Sequence, residues 1–313
     1  MTAGSVLITG VNGFIGQAMA RRLLAAGWQV AGADLQAGAI PSGLAQYAAL
    51  DVARPDAAEG LERFAGIDAV LHAGGISGFM VARDDPARIL EVNVGGTARV
   101  LEFARRHRPR RTLLCSTLMV YGPAQAALGE VDEAEAPQPC SVYGASKAAI
   151  EAMGQGYAAQ FGLGVVSLRF SQVYGPGRTT ECFVRDMVAA AQTTGQCRIG
   201  QVAGGQRQYV HIDDACDAIA AALAPACDAS GAFNITGGEC HSLAELRDLV
   251  REIVGPLQVD FHPDNDPPAY RLPRLSIRRA AESLGYVPRL SLAAGIARMA
   301  GAAPPPETAA SWH

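Results

Sequence analysis

The sequence predicts an α/β protein built around a doubly wound parallel sheet. Short apolar runs, typical of buried parallel strands, recur along the 313 residues and alternate with helical patterns. The first run, Ser5–Thr9, leads directly into a glycine-rich loop and a helical pattern that continues to Leu24. Such alternation is typical of sheets with helices on both faces, which bind ligands at the carboxyl ends of their strands.

The later elements are predicted in the same way. Apolar runs indicate strands at residues 29–34, 69–72, 111–117, 165–170, 209–212 and 233–235, and one more that ends at residues 50–52. Helical patterns indicate helices at residues 86–107, 183–192, 243–254, from 213 or 214 to 223, and around Tyr143. The interval 256–273 is rich in proline and acidic residues, as an irregular substrate lobe would be. We expect residues 302–313 to be a flexible tail.

Composition indicates a globular chain with a large core, because 49% of the residues are hydrophobic. The formal charge of −4 is small, and we interpret the basic cluster at residues 105–111 as a solvated helix end. No apolar run approaches the ~20 residues of a membrane span, and the first residues lack a signal-peptide pattern. We therefore expect a cytoplasmic protein with no nucleic-acid or membrane partner.

The seven cysteines do not form a recognisable framework. Their number is odd and no two are spaced as C-x-x-C, which favours reduced, half-buried thiols over disulfides or zinc ligands. His72 ends an apolar strand with no second ligand near it, so we interpret it as a packed core histidine. No metal site is predicted.

The loop after the first strand has the spacing of a dinucleotide-binding turn. Gly10, Gly13 and Gly16 would let the backbone turn tightly and approach a pyrophosphate, while the following helix offers unpaired N–H groups. Asp34 ends the next strand, where a ribose-binding carboxylate is expected; a turn or N-cap role is the alternative. Neither Gln36 nor Ala37 could bind a 2′-phosphate, which favours NAD over NADP.

Tyr143 and Lys147 lie four residues apart at the start of a predicted helix, so both side chains share one face. The pKa of a tyrosine, near ~10, must fall by about three units, or roughly 4 kcal/mol, before the phenol can act as a base at neutral pH. A desolvated lysine would favour the phenolate. The same spacing also occurs on solvated helices, so the interpretation depends on neighbouring motifs. One such neighbour is Thr117, which ends a strand at the ligand-binding edge.

Further motifs follow in a fixed order. They are His72-Ala73-Gly74-Gly75, Asn93-Val94-Gly95-Gly96-Thr97, Ser116-Thr117-x-x-Val120-Tyr121-Gly122, Tyr143-x-x-x-Lys147, Arg169-Phe170-x-x-Val173-Tyr174-Gly175-Pro176-Gly177, Arg207-x-Tyr209-Val210-His211-x-Asp213-Asp214 and Leu284-Gly285-Tyr286-x-Pro288. With the glycine loop, this set resembles the extended short-chain dehydrogenase/reductase family of NAD-dependent sugar epimerases and dehydratases. The resemblance covers nearly the whole chain.

The resemblance implies a Rossmann-type fold with a smaller C-terminal substrate-binding lobe, and a catalytic set of Thr117, Tyr143 and Lys147. Thr117 and Tyr143 would share a hydrogen bond to the reacting oxygen, and Tyr143 would move the proton. Lys147 would hold the nicotinamide ribose of NAD and lower the pKa of Tyr143. The other residues implied to contact or brace NAD are Gly10, Gly13, Phe14, Ile15, Gly16, Asp34, Asp51, Val52, Ala73, Gly74, Gly75, Asn93 and Phe170.

The same resemblance implies how the chain is divided. Residues 1–173 would form the NAD-binding domain, with residues 206–236 returning to it. Residues 174–205 and 237–301 would form the substrate-binding lobe, followed by the tail at 302–313. Because family members often pair through the helices that follow Asn93 and Tyr143, a homodimer is expected.

One departure from the family pattern reduces the number of reactions that the chain is expected to catalyse. Dehydratases of the family carry an Asp-Glu pair after the catalytic hydroxyl residue, whereas this chain has Leu118-Met119, neither of which can transfer a proton. An epimerase is therefore expected, and a net dehydrogenase or reductase is the alternative. A noncatalytic NAD-sensing protein is a third hypothesis, which the intact set around Tyr143 disfavours.

Two substrate classes remain open. Arg207 and Arg271 match positions where nucleotide-sugar enzymes of the family bind the diphosphate, although an ion pair with Asp213 or Asp214 is the alternative for Arg207. Gln172 stands where the family usually has asparagine, and residues 202–205 replace the usual Gly-Asp-Gly. Ser77 lies in a loop similar to that of free sugar-acid dehydrogenases. The substrate is thus a nucleotide sugar or, alternatively, a free sugar or sugar acid.

Overall fold

The computed structural model describes residues 4–35, 40–78, 85–123, 129–262 and 272–301. The strands are β1 (Ser5–Thr9), β2 (Gln29–Asp34), β3 (Gln46–Ala49), β4 (Ala69–His72), β5 (Arg111–Thr117), β6 (Glu130–Val131), β7 (Val165–Phe170), β8 (Gln172–Tyr174), β9 (Gln196–Ile199), β10 (Gln206–His211), β11 (Gly231–Ile235), β12 (Cys240–Ser242), β13 (Gln258–Phe261) and β14 (Arg274–Leu275). The helices are α1 (Phe14–Ala25), α2 (Ala57–Glu62), α3 (Pro86–Leu90), α4 (Gly96–His107), α5 (Val142–Phe161), α6 (Phe183–Gln192), α7 (Ile212–Leu223), α8 (Leu243–Ile253), α9 (Arg278–Leu284) and α10 (Leu292–Ala300).

A parallel sheet of seven strands forms the centre of the fold, in the order β11-β7-β5-β4-β1-β2-β3. Strand β1 pairs with β2 on one side and with β4 on the other, so the glycine loop after β1 lies next to the carboxyl ends of both neighbours. The central strands are apolar on both faces because helices cover both, and Leu7, Ile8 and Leu71 are fully buried. The predicted α/β class is confirmed.

The predicted bounds of β1, β4, β5 and β7 agree with the structure, but β3 ends earlier than predicted. Residues 50–52 lie beyond β3, which stops at Ala49. The Asp51 carboxylate accepts the backbone N–H of Ala53 at 2.9 Å, and this local turn takes the chain away from the sheet. The predicted helix at 86–107 is interrupted by a π-helical turn, Glu91–Gly95, between α3 and α4.

The basic cluster is only partly the solvated helix end that we predicted. Arg105, Arg106 and His107 do form the last turn of α4. Arg111, however, is buried, and its guanidinium donates to the carbonyl oxygens of Ala229 and Cys227. It is buried because β5 lies inside the sheet, where these carbonyls satisfy the charged group.

A second core lies beside the large sheet. Strands β12, β10 and β8 form a small sheet, in which β10 pairs in parallel with β8 and antiparallel with β12. Helices α6, α8 and α10 pack together next to it around Phe183, Met187 and Leu246. Because β8 follows β7 after a single residue, the small sheet begins at the carboxyl edge of the large one, beside Thr117.

Candidate functional site

The glycine loop leaves no room for side chains at two of its three glycines. Gly10 has a positive φ of 73°, and a Cβ atom on it would lie 2.5 Å from the backbone nitrogen of Gly74. A Cβ atom on Gly16 would lie 2.0 Å from the carbonyl oxygen of Gly10. Gly13 precedes α1, so the N–H groups of Phe14 and the next residues open the helix at the sheet edge. This backbone cradle, with a helix N-terminus at its centre, suits a dinucleotide pyrophosphate.

Asp34 lies at the end of β2, directly beside this cradle. Its Oδ2 accepts the backbone N–H of Asn12 at 2.9 Å, and its Oδ1 accepts that of Leu35 at 2.7 Å. The carboxylate is thus fixed at the carboxyl edge of the sheet, at the position where a ribose-binding group is required. Gln36 and Ala37, on which the choice of NAD over NADP partly rested, lie outside the described residues.

Asp51 and Val52 are held against the helical segment that follows β4. Asp51 accepts a hydrogen bond from Arg88 Nη2 at 3.1 Å, and the carbonyl oxygen of Val52 accepts one from Arg99 Nη1 at 3.3 Å. Val52 also packs on Gly96, where a Cβ atom would come within 2.8 Å of its side chain. These contacts fix the wall of the site next to β3.

Asn93, in the π-helical turn, joins the loop after β4 to α5. Its Oδ1 accepts the backbone N–H of Ile76 at 2.8 Å, while its Nδ2 donates to the Ile76 carbonyl at 3.1 Å and to Ser146 Oγ at 3.0 Å. A Cβ atom on Gly75 would lie 2.8 Å from Asn93 Oδ1 and 3.7 Å from Lys147 Nζ. The loop is therefore seated on the same helix that carries Tyr143 and Lys147. π-Helical turns of this kind often occur at functional sites.

His72 is a core residue of this region, as the sequence indicated. Its Nδ1 lies 2.6 Å from Thr9 Oγ1 and its Nε2 lies 3.0 Å from Thr97 Oγ1. Burial, together with the nearby charge of Lys147, lowers the pKa of His72 to about 3. The neutral ring thus ties β1 and β4 to α4.

Thr117, Tyr143 and Lys147 are brought together by the way α5 begins. Ser141 caps the helix by accepting the Gly144 N–H at 3.0 Å. A Cβ atom on Gly144 would lie 2.3 Å from the carbonyl oxygen of Met119, so the first turn of α5 sits directly on the short 3-10 turn after Thr117. All three side chains are buried, and Lys147 Nζ donates to the Cys115 carbonyl at 2.8 Å.

Burial dominates the protonation equilibria of the two catalytic candidates. It raises the pKa of Tyr143, and the Thr117 side chain and the Gly78 backbone oppose that rise by hydrogen bonding to the phenol. It lowers the pKa of Lys147, because an ammonium group loses its hydration inside the protein. The pKa of Tyr143 is thus raised overall, whereas we predicted that Lys147 would lower it.

The remaining cofactor-side residues line the same edge. Ala73 continues β4 by donating its N–H to the Thr9 carbonyl at 3.0 Å, and Gly74 contacts Gly10. Phe170 ends β7 opposite Thr117 in the sheet register. Ser77 is exposed on the loop between Ile76 and Gly78, and the backbone of Gly78 hydrogen-bonds to the Tyr143 phenol.

Two residues that the sequence analysis predicted to contact the substrate, Gln172 and Arg207, lie on the small sheet. Gln172 begins β8 and pairs with Tyr209 of β10, two residues after Arg207. Arg207 is buried, and its guanidinium donates to Gln201 Oε1 and to the Gln206 carbonyl, both at 3.0 Å. Arg271 lies outside the described residues.

The two aspartates offered as alternative partners of Arg207 are engaged elsewhere. Asp213 forms an ion pair with Arg298 at 3.1 Å. Asp214 accepts the backbone N–H groups of Arg289 and Leu290 at 3.0 and 3.1 Å. The Arg207 guanidinium is instead oriented by the Gln201 amide oxygen and the Gln206 carbonyl oxygen.

One buried ion pair near the site was missed by the sequence analysis. Glu151, one helical turn beyond Lys147, binds Arg169 of β7 with an N–O distance of 2.7 Å, and both side chains are 3% exposed. A signal was present, because Arg169 stands within an apolar strand and Glu151 within a helix whose only other charged residue is Lys147. Charged residues at such positions require partners.

The seven cysteines are free thiols that differ in burial, from the buried Cys115, Cys182 and Cys216 to the exposed Cys140 and Cys240. No group of three or more His, Cys, Asp or Glu side chains is placed to hold a metal ion in the parts of the chain that the structure describes. Among the described helices, none combines the length and the apolar composition that crossing a membrane requires.

Comparison with known proteins agrees with this geometry. Residues 6–236 match the family described as NAD dependent epimerase/dehydratase family. The UDP-glucose 4-epimerase of Mycolicibacterium smegmatis is 31% identical over 308 residues, which cover 93% of this chain and 96% of that protein.

Solved structures share the fold over nearly the whole chain. The Thermus thermophilus UDP-glucose 4-epimerase in complex with NAD superposes with a TM-score of 0.79 at 28% identity, covering 95% of this chain and 98% of that one. MoeE5 in complex with UDP-glucose and NAD superposes with a TM-score of 0.84 at 26% identity and the same coverage. The predicted fold and family resemblance are confirmed: this chain belongs to the NAD-dependent epimerase/dehydratase family, an extended short-chain dehydrogenase/reductase type of enzyme.

Proposed function

We propose that this enzyme interconverts two UDP-linked sugars that differ in configuration at C4, with NAD as a retained cofactor. The observation that carries the proposal is the buried cluster of Thr117, Tyr143 and Lys147, at the sheet edge that also carries the glycine cradle. The relatives described above, named as UDP-glucose 4-epimerases, support the substrate class.

In the proposed reaction, the sugar hydroxyl lies between Thr117 and Tyr143. Thr117 orients it by a hydrogen bond, and Tyr143 as phenolate takes its proton while the carbinol becomes a ketone. Lys147 would stabilise the phenolate and would hold the nicotinamide ribose of bound NAD. Bound NAD supplies a hydride acceptor for the oxidation and a hydride donor for the reduction. Inversion requires the planar ketone to present its other face, so the sugar must turn while its nucleotide stays held.

The residues that would hold NAD are those placed at the cradle and its walls. We propose that Asp34 binds the adenosine ribose, that Asp51 and Val52 contact the adenine, and that Asn93 braces the loop 73–78. The pyrophosphate and the remainder of the cofactor would contact Gly10, Gly13, Phe14, Ile15, Gly16, Ala73, Gly74, Gly75 and Phe170.

On the substrate side, we propose that Arg207 binds the diphosphate, with Gln172 and Ser77 nearer to the sugar. A guanidinium that is already buried and oriented by Gln201 is suited to a phosphate, because its planar fork can form paired hydrogen bonds. Arg271 remains a second candidate for the same group.

A net dehydrogenase of a free sugar or sugar acid is the second candidate function. It is favoured by the exposed Ser77, which precedes Gly78, the residue whose backbone hydrogen-bonds to Tyr143. The two functions differ in whether reduced cofactor accumulates. A 4,6-dehydratase is disfavoured, since Leu118-Met119 offers no proton-transferring side chain after Thr117.

The proposal is tested by incubating the purified enzyme with UDP-glucose or UDP-galactose and separating the products by chromatography. We expect each sugar to be converted into the other without accumulation of NADH. Stoichiometric NADH formation, or turnover of free sugar acids alone, would support the dehydrogenase instead. The Tyr143→Phe variant, carried through the same assay, controls for contaminating epimerase.

We also propose a homodimer formed through α4 and α5. Lys147 and Glu151 are the only charged residues of α5 and both point inward, so the outer face is uncharged, with Ala145, Ala152 and Gly156 exposed. An Ala152→Arg variant should sediment as a monomer, whereas Ala65→Arg, at an exposed turn after α2, should not. A wild-type monomer would contradict the proposal.

The chain is further proposed to consist of two parts and to act in the cytoplasm. We propose that residues 1–173 and 206–236 bind NAD, and that residues 174–205 and 237–301 form the substrate-binding lobe. The free thiols support a cytoplasmic enzyme, because disulfides are rare in that compartment. Residues 302–313, expected to be a flexible tail, lie outside the described residues.

A further inference from the structure

A buried charge network lies directly beneath the catalytic cluster. The Glu151 carboxylate accepts hydrogen bonds from Arg169 through Nε at 3.0 Å and through Nη2 at 2.7 Å. Arg169 Nη1 donates to the Tyr121 hydroxyl at 2.6 Å, and that hydroxyl lies 3.1 Å from Asn234 Oδ1. The network thus connects α5, β7, β11 and the segment after β5, and its charged groups are held in one arrangement.

The same carboxylate is connected to the strand that carries Thr117. Ser116 Oγ donates to Glu151 Oε1, and Ser116 immediately precedes Thr117 at the end of β5. Lys147 donates to the carbonyl of Cys115, the residue before Ser116. Strand β5 is therefore tied to α5 at two successive residues, once through the ammonium group and once through the carboxylate.

The charge of Glu151 also acts on Lys147, a member of the catalytic cluster. The Glu151 carboxylate favours the charged form of Lys147, against the burial that lowers the pKa of Lys147. The titratable groups around Lys147 are His72 on β4, Cys115 on β5, Tyr143 and Glu151 on α5, with Arg169 on β7 behind Glu151. Glu151 is the carboxylate of this set, and Arg169 is the guanidinium that compensates it.

We propose that Glu151 is a positioning residue of the active site: held by Arg169, it fixes Ser116 and hence Thr117 beside Tyr143 and Lys147. It touches neither substrate nor cofactor in this role. The inference rests on the proposed epimerase function for its kinetic consequences, but its electrostatic consequence does not depend on turnover.

Opposite substitutions within the ion pair separate this role from a purely structural one. Removing the anion by Glu151→Gln lowers the pKa of every nearby group, so both limbs of the pH profile of kcat should move to lower pH by roughly 0.5–1 unit. Removing the cation by Arg169→Gln should move both limbs to higher pH. The double variant should return them close to their wild-type positions, and Glu62→Gln, at an exposed ion pair, should leave them unchanged.

A loss of kcat in both single variants with no shift of either limb would overturn the proposal, since it would mean that the pair only supports the fold. Should the single variants fail to fold, Ser116→Ala tests the remaining link. It should lower kcat about tenfold at unchanged KM. An unchanged kcat in this variant would equally overturn the proposal.

A second readout is independent of the substrate. The ionisation of Tyr143 can be followed by tyrosinate difference absorbance in the NAD-bound enzyme, with Tyr143→Phe as the blank, and should shift in the same opposite directions in the two single variants. Absence of epimerisation by the wild-type enzyme would defeat the proposed function while this titration still decided the role of Glu151. Unshifted titrations in an active enzyme would defeat the positioning role alone.

Discussion

We call the proposed NAD-binding part of the site, on β1, β2 and β4, the cofactor half, and the proposed substrate-binding part, on β8 and β10, the substrate half. The two halves hold their polar groups in different ways. In the cofactor half the shape comes from the backbone, since Gly10 and Gly16 lack side chains that the packing would not admit. In the substrate half it comes from buried polar side chains. Arg207 is held by Gln201, and the Tyr174 and Tyr209 hydroxyls are buried without a hydrogen-bond partner among the described residues.

This difference indicates how each half can respond to change. A backbone cradle inside a parallel sheet is rigid, and it suits a cofactor that stays bound through many turnovers. Buried polar groups cost free energy until they are satisfied, so a ligand that supplies partners gains affinity there. Substitutions in the first half should therefore damage the fold together with NAD binding, and substitutions in the second should act on the substrate alone.

Tyr143→Phe should produce the largest effect, because it removes the chemistry while leaving both halves intact. We expect kcat to fall by about 10²–10⁴-fold, with NAD affinity and substrate affinity nearly unchanged. Steady-state kinetics and isothermal titration would measure these quantities. Tyr157→Phe, on the same helix but away from the cluster, serves as the control. A comparable loss of kcat there would show that α5 responds to any change.

Gly10→Ala tests the backbone-defined half. Its Cβ atom would clash with Gly74 and would force a left-handed residue, so unfolding should become easier by about 2–4 kcal/mol and NAD should bind weakly. Calorimetry and fluorescence titration would show this. Gly27→Ala is the matched control, because Gly27 also has a positive φ, of 82°, but open space around it. Equal losses in the two variants would mean that the close approach to Gly74 contributes nothing.

Arg207→Lys tests the substrate half. The lysine keeps the charge but loses the planar fork, so KM for the UDP-sugar should rise by about 10–100-fold, or roughly 1.4–2.8 kcal/mol. NAD affinity and the melting temperature should change little. Arg251→Lys, at the exposed end of α8, should leave KM unchanged. A parallel loss of NAD affinity in Arg207→Lys would contradict the separation of the two halves.

Asp34→Asn should have the smallest effect and sharpens the comparison. The amide keeps one acceptor oxygen for the N–H groups of Asn12 and Leu35 but loses the charge. We expect NAD to bind about tenfold more weakly, while discrimination against NADP falls because the repulsive carboxylate is gone. Competitive titration of both dinucleotides measures the ratio. An unchanged ratio would indicate that other residues select the cofactor.

Sequence patterns were sufficient to predict the parallel sheet and the proximity of Thr117, Tyr143 and Lys147 at its edge. Continuous apolar runs gave the bounds of β1, β4, β5 and β7, because strands buried on both faces admit few polar residues. Helical spacing placed Tyr143 and Lys147 on one face, and the ends of parallel strands placed Thr117 near them. The outer strand β3 was less predictable, since Asp51 forms a turn that its apolar neighbours did not indicate.

The parts that sequence did not indicate depend on contacts between distant segments. Only the folded structure shows that Arg207 bonds to Gln201 and that Arg169 pairs with Glu151. The direction of a pKa shift also depends on burial. Burial raises the pKa of Tyr143, whereas the expectation based on Lys147 alone was that it would be lowered. The π-helical turn at Glu91–Gly95 left no mark in the helical pattern of residues 86–107.

The π-helical turn at Glu91–Gly95 depends on the number of residues in this part of the chain. It holds one residue more than an α-helical turn, and that residue directs Asn93 towards Ile76 and Ser146. Losing a single codon here would restore unbroken α-helical hydrogen bonding from Pro86 to His107. It would also rotate one part of the helix by about 100° relative to the other. We expect a protein shortened in this way to gain a more regular helix and to lose the Asn93 hydrogen bonds that hold the loop after β4 against α5.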